Sequence, residues 1–200
     1  AFLEMTDRPV LERCEFQQNS GVFGGGIALY AGGAEVRDCR FTGNEGAEGG
    51  ALRLLDCSAA TRVVRCLFWR NVAGEGSLVH ARGSLLELES CTAMDNGQTG
   101  ADPAAVYLDP PSAGFVRRTI FARTRAARPV TAGPGVEVSC CDIWPGAPGV
   151  EPEGDNFSAP PGFCAPEAGD FRLEASSPCL PEHTPPGCGL VGAYDVGCRP

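Results

Sequence analysis

One register recurs along most of the chain: an apolar residue, two further residues, Cys or Thr, one residue, and then in most copies a large apolar side chain. The copies are Leu11/Cys14/Phe16, Val36/Cys39/Phe41, Val63/Cys66/Phe68, Leu88/Cys91/Ala93, Val116/Thr119/Phe121 and Val138/Cys141/Ile143. Successive Cys or Thr anchors lie 25, 27, 25, 28 and 22 residues apart. Self-similarity at a period in the twenties predicts a solenoid, because one such unit cannot bury its own apolar face and must stack on the next.

A leucine-rich repeat has a similar period but needs a Leu-dominated consensus. These units are rich in Gly, Val, Cys and Thr, with apolar bursts of two to five residues, which read as short strands. Cys and Phe lie two apart and share one face, whereas the apolar residue three before Cys is out of phase. A polar corner such as Arg37-Asp38, Glu89-Ser90 or Arg117-Arg118 restores the phase. A further strand follows each Asn after a glycine-rich turn, as in Gly49-Gly50-Ala51-Leu52-Arg53-Leu54. About three strands per coil, stacked in parallel at about 4.8 Å per rung, predict an all-β, single-stranded right-handed parallel β-helix of about six rungs.

Phe16-Gln-Gln-Asn19, Phe41-Thr-Gly-Asn44 and Phe68-Trp-Arg-Asn71 alternate with Gly24-Gly25-Gly26-Ile27 and Gly49-Gly50-Ala51-Leu52. This pairing resembles the FxxN and GGA[ILV] repeats of bacterial polymorphic outer-membrane proteins, and the wider class of exported right-handed β-helix repeat proteins. The resemblance covers about residues 10 to 110, and the stretch from Gly169 to Cys198 is similar to the closing segment of many such proteins. It implies a surface or secreted passenger domain, often adhesive. The double glycine degrades to Gly76-Ser77, the Asn is not repeated after Asn96, and no barrel segment accompanies the repeats.

Residues 1–144 therefore read as β-helix rungs that begin in mid-rung, as in a piece of a longer exported protein, and residues 145–200 as a Pro/Gly-rich loop and C-terminal capping segment of the same domain. The net charge is −9 and all 16 basic residues are Arg, so duplex nucleic acid is disfavoured as a partner. No apolar run approaches the length of a membrane span. Eleven cysteines suggest an oxidising compartment and an extracellular or outer-surface location.

Cys14, Cys39, Cys66 and Cys91 are expected to stack as a structural ladder inside the coil, and Asn19, Asn44, Asn71 and Asn96 as an amide ladder in a turn. In the tail, Cys179 is expected to bond Cys188 and Cys140 to bond Cys164, with Cys198 left over; Cys57, in a polar turn, reads as a free thiol. Asp95 to Asp102 only superficially resembles a calcium loop, because the closing glutamate is missing. No metal site and no cofactor are expected.

Two functions compete. Arg117, Arg118, Arg123, Arg125 and Arg128 form the one basic concentration and could hold an acidic saccharide or a phosphate, although a solvated face is the plainer reading. A non-catalytic exported scaffold for adhesion or glycan binding, with a polysaccharide or host-surface ligand, is the expectation. The alternative is a polysaccharide-degrading lyase or glycoside hydrolase whose site lies mostly elsewhere. Its candidates here are His80, Arg82, Glu87 and Asp95, without the paired carboxylates that such hydrolysis uses.

Overall fold

The computed structural model of the protein describes residues 2–4, 8–98, 104–124, 129–146 and 153–198. It is an all-β parallel solenoid. One coil shows the plan: Glu35–Arg37, Arg40–Thr42, Glu45–Glu48 and Leu52–Leu55, each a strand of a different sheet. We number these sheets 1 to 4 in that order; sheets 1, 2 and 4 have six parallel strands and sheet 3 has four. Where all four sheets are present, a coil carries four short strands where about three were expected. The missed one lies between Asn and the glycines, where sequences such as Glu45-Gly-Ala-Glu48 carry no apolar burst.

The corners explain how side chains three apart both point inward. Arg13, Asp38, Arg65, Ser90, Arg118 and Cys140 all occupy the left-handed region, with φ between 49 and 55°. One such residue between two extended segments turns the chain and resets the side-chain alternation, so Val36, Cys39 and Phe41 are all buried. At the corner before sheet 4 only glycine is possible. Gly49 has φ 73°, and a Cβ there would lie 2.1 Å from the Leu52 carbonyl oxygen.

Columns fill the interior. The rings of Phe16, Phe41 and Phe68 stack with centroids 4.9 and 5.1 Å apart and planes within 9°. Phe41 and Phe68 are fully buried, and Ala93, Phe121 and Ile143 continue the register. Cys39, Cys66 and Cys91 are buried free thiols, and each sulfur lies within 3.6 Å of the carbonyl of the apolar residue three before the anchor in the preceding coil. Cys14, at the open end, is half-buried and also free. Burial pushes the Cys66 and Cys141 thiols up, the latter to about 12. In the turn after sheet 2, Asn44 Nδ2 donates to Asn71 Oδ1 (2.9 Å) and to the Phe16 carbonyl (2.9 Å), and Asn71 repeats the pattern with Asn96 and Phe41. Cys57 is also a free thiol, but buried: its column continues as Ser84 and Ser112, whose hydroxyls accept the N–H of the residue one coil earlier.

The C-terminal segment departs from expectation. Asn156 and Phe157 do continue the stack, with Phe157 N–H donating to Cys141 O (2.9 Å) and Asn156 Oδ1 accepting from Cys141 N (2.9 Å). The described remainder lies beside the tube. It runs back along the outer face of sheet 2, where Phe171, Leu173, Leu180 and Val191 bury Leu67, Met94, Ile120 and Ala122. Its hairpin, Phe163–Ala165 with Asp170–Leu173, is antiparallel. Trp69 meets Phe171 edge to face at 5.4 Å. The cause is legible in sheet 2: Leu67-Phe68-Trp69 and Ile120-Phe121-Ala122 are apolar on both faces and need covering outside as well as inside.

This path changes the disulfides. Cys140 bonds Cys188, and Cys164 bonds Cys198, in place of the expected Cys179–Cys188 and Cys140–Cys164 pairs. Cys140 occupies an outward corner of the last full coil, and the fold-back brings Cys188 to it. Cys179 instead points inward as a buried free thiol whose sulfur donates to Asp142 Oδ2 at 3.4 Å.

Candidate functional site

Alternation in sheet 4 points Leu52, Leu54, Val79 and Ala81 inward and Arg53 and His80 outward. Because the strands are in register, Ala28, Arg53, His80, Tyr107 and Thr131 form one outward row. Glu48 and Glu75 pair in register at the end of sheet 3 and reach over the glycine corner onto this row.

The result is a compact polar cluster. Arg53 Nε donates to Glu48 at 2.7 Å. His80 Nδ1 lies 3.3 Å from Glu48, and its Nε2 lies 3.5 Å from Asp109 and 3.7 Å from Glu75. None of these contacts has hydrogen-bond geometry, so both ring nitrogens are unbonded although His80 is only 1% exposed. The Tyr107 ring sits 5.2 Å from the imidazole at a tilt of 49°. Burial, aided by the Arg53 charge, lowers the His80 pKa below its usual value against the pull of Glu48, Asp109 and Glu75. The imidazole is therefore neutral at pH 7.

Of the residues singled out from the sequence, His80 and Arg82 share this sheet, two residues apart on one strand. The other two are elsewhere. Glu87 is on sheet 1, paired with Arg62 at 3.0 Å, and Asp95 is at the corner between sheets 2 and 3, paired with Arg123 at 2.9 Å. The four do not converge, because adjacency in sequence places residues on successive sides of the tube. Residues one period apart do converge: Arg53, His80 and Tyr107 are spaced by 27, as are Glu48 and Glu75. Aligning outward positions by the repeat would have found them.

The arginine concentration is held by carboxylates. Arg117 pairs with Glu137 at 2.7 Å and covers the Phe115 ring, Arg118 pairs with Glu89 at 3.2 Å, and Arg123 is shared between Asp95 and Glu167. Arg125 and Arg128 lie outside the described residues. Among the described residues, one group of potential metal ligands is close enough to share a cation, namely Cys140, Asp155 and Cys188. Its two sulfurs are bonded to each other, so in the oxidised protein they are not thiolate ligands.

Comparison of the chain with protein-family models, with curated proteins and with solved structures returns no match to any of them. The likeness to FxxN and GGA[ILV] repeats thus rests on the residues that carry it.

Proposed function

We propose that the protein is an exported β-helix scaffold that binds a neutral saccharide on the outer face of sheet 4. The observation that carries this reading is the group of partly exposed carboxylates Glu48, Glu75 and Asp109 beside the Tyr107 ring, seated over the buried Arg53 and His80. Carboxylates accept from vicinal hydroxyls, the buried Arg53 holds Glu48 in place from beneath, and Tyr107 adds a flat apolar face. Charge selects the class: three carboxylates against Arg53 and Arg82, with His80 neutral, leave the face negative and unfavourable to a polyanion. The two disulfides fit an oxidising, extracellular setting, and the repeat resemblance fits an adhesive surface.

Retention on a panel of immobilised neutral and acidic polysaccharides tests the reading. Binding to a neutral glycan that weakens about tenfold in Tyr107→Ala is expected, from the loss of one aromatic contact. Equal retention of the wild type and Tyr107→Ala on every glycan would refute the site.

A further inference from the structure

A separate recess lies where the C-terminal segment crosses the first corner of the coils. Arg65, Ser90 and Arg118 hold the same left-handed corner position in three consecutive coils, with φ of 49, 52 and 50°. Their side chains stand one above another on the outside of the tube. Opposite them, the loop from Gly187 to Ala193 is fastened by the Gly192 N–H donating to the Arg118 carbonyl at 2.7 Å and by the Cys140–Cys188 bond. The two walls flank an open cleft of about 320 Å³.

Among the described residues, the ionised ones lining this cleft are Arg65 and Arg118, and no carboxylate lines it. Asp38, one coil below Arg65 in the same corner column, and Glu89, next to Ser90, hold the two arginines in place. Arg65 uses Nε and Nη2 on Asp38 at 2.8 and 2.7 Å, and Arg118 uses Nη1 on Glu89 at 3.2 Å. The remaining guanidinium N–H groups and the Ser90 hydroxyl stay available as donors. The loop adds Gly187 and Gly189, whose N–H groups enter no hydrogen bond among the described residues. A Cβ on either glycine would meet nothing within 4 Å, so the space beside them is open.

We infer that this cleft is a binding site for a small tetrahedral oxyanion, a phosphate or sulfate ester carried on a body about the size of one sugar ring. Two guanidinium groups and a hydroxyl line one wall, and a glycine loop with unbonded amides lines the other. Three terminal oxygens can accept from all of them, whereas a carboxylate has two. The volume is at the small end of ligand pockets and admits one ring, not an extended chain. Because Asp38 and Glu89 already orient the arginines, little side-chain freedom is lost on binding. The site shares no residue with the row on sheet 4 and stands whether or not that row binds saccharide.

Titration by calorimetry with inorganic phosphate, inorganic sulfate, glucose 6-phosphate, glucuronate and glucose tests this. Glucose 6-phosphate is expected to bind, inorganic phosphate and sulfate more weakly, and glucose not at all. Arg118→Gln and Arg65→Gln should each weaken binding by about tenfold or more, the loss of one charge-assisted contact. Ser90→Ala should weaken it less, and Arg62→Gln, a surface arginine outside the cleft, should leave it unchanged. No binding by any phosphate or sulfate would overturn the site. Loss in Arg62→Gln equal to that in Arg118→Gln would reduce it to diffuse charge, and glucuronate binding as tightly as glucose 6-phosphate would overturn the tetrahedral preference. Far-UV circular dichroism of each variant confirms the fold, which loss of one exposed ion pair leaves intact.

Discussion

Asp142 shows how a single residue ties the tube to the segment folded along it. It is fully buried at the end of sheet 2, with Oδ1 accepting from Ala159 N–H at 3.0 Å and Oδ2 facing the Cys179 thiol. Burial raises its pKa to about 7, against an ordinary value near 4 in the unfolded chain. The folded state therefore holds a proton that the unfolded state releases, and stability falls as the pH rises from about 4 to 7 and is flat above. Asp142→Asn should remove this dependence and stabilise the protein at pH 8, by up to about 4 kcal/mol, as read by urea denaturation across pH. Asparagine ladders follow the opposite logic. Asn71→Ala strands the backbone N–H of Asn44 and one of its two Nδ2 hydrogens and should cost about 3 kcal/mol, whereas Asn19→Ala, at the exposed end of the ladder, should cost less than about 1 kcal/mol.

At the scale of strands and corners, the repeat register carried most of the fold. The Cys, Phe and Asn positions are legible because each column carries one residue type through its first three or four coils, and stacking rewards like over like. Sheet 3 was not legible, since Glu45-Gly-Ala-Glu48 pairs in the ladder without an alternating apolar pattern to announce it. The candidate cluster was half legible. His80 stands out as a rare residue, but Glu48, Arg53 and Asp109 are ordinary polar residues until the coil places them together. Corner glycines give the sharpest test of element geometry. Gly49→Ala puts a Cβ against the Leu52 carbonyl and should cost about 3 kcal/mol. Gly97→Ala, whose Cβ would meet only a Val72 methyl at 3.8 Å, should be within about 0.5 kcal/mol of neutral. Thermal denaturation of the two variants side by side reads the difference.

The molecule as a whole is a tube with a stapled flank. Nearest-neighbour stacking makes its stability a sum over coils, while the flank depends on side-chain packing against sheet 2 and on two covalent closures. The tail cysteines could not be paired by spacing, because their partners are set by where the fold-back meets the tube. Opening the 48-residue Cys140–Cys188 loop should cost about 4 kcal/mol. Under reducing conditions the segment from Phe163 onward should therefore detach first, seen as faster proteolysis there while the β-sheet circular dichroism of the coils persists.

Everything rests on residues one coil apart lying over one another, and aromatic proton NMR reads that directly. Nuclear Overhauser contacts are predicted between the rings of Phe16 and Phe41, stacked at 4.9 Å, and between those of Phe41 and Phe68, at 5.1 Å, with none between Phe16 and Phe68. A spectrum in which Phe41 contacts neither neighbouring ring would contradict the columnar solenoid and the surfaces built on it.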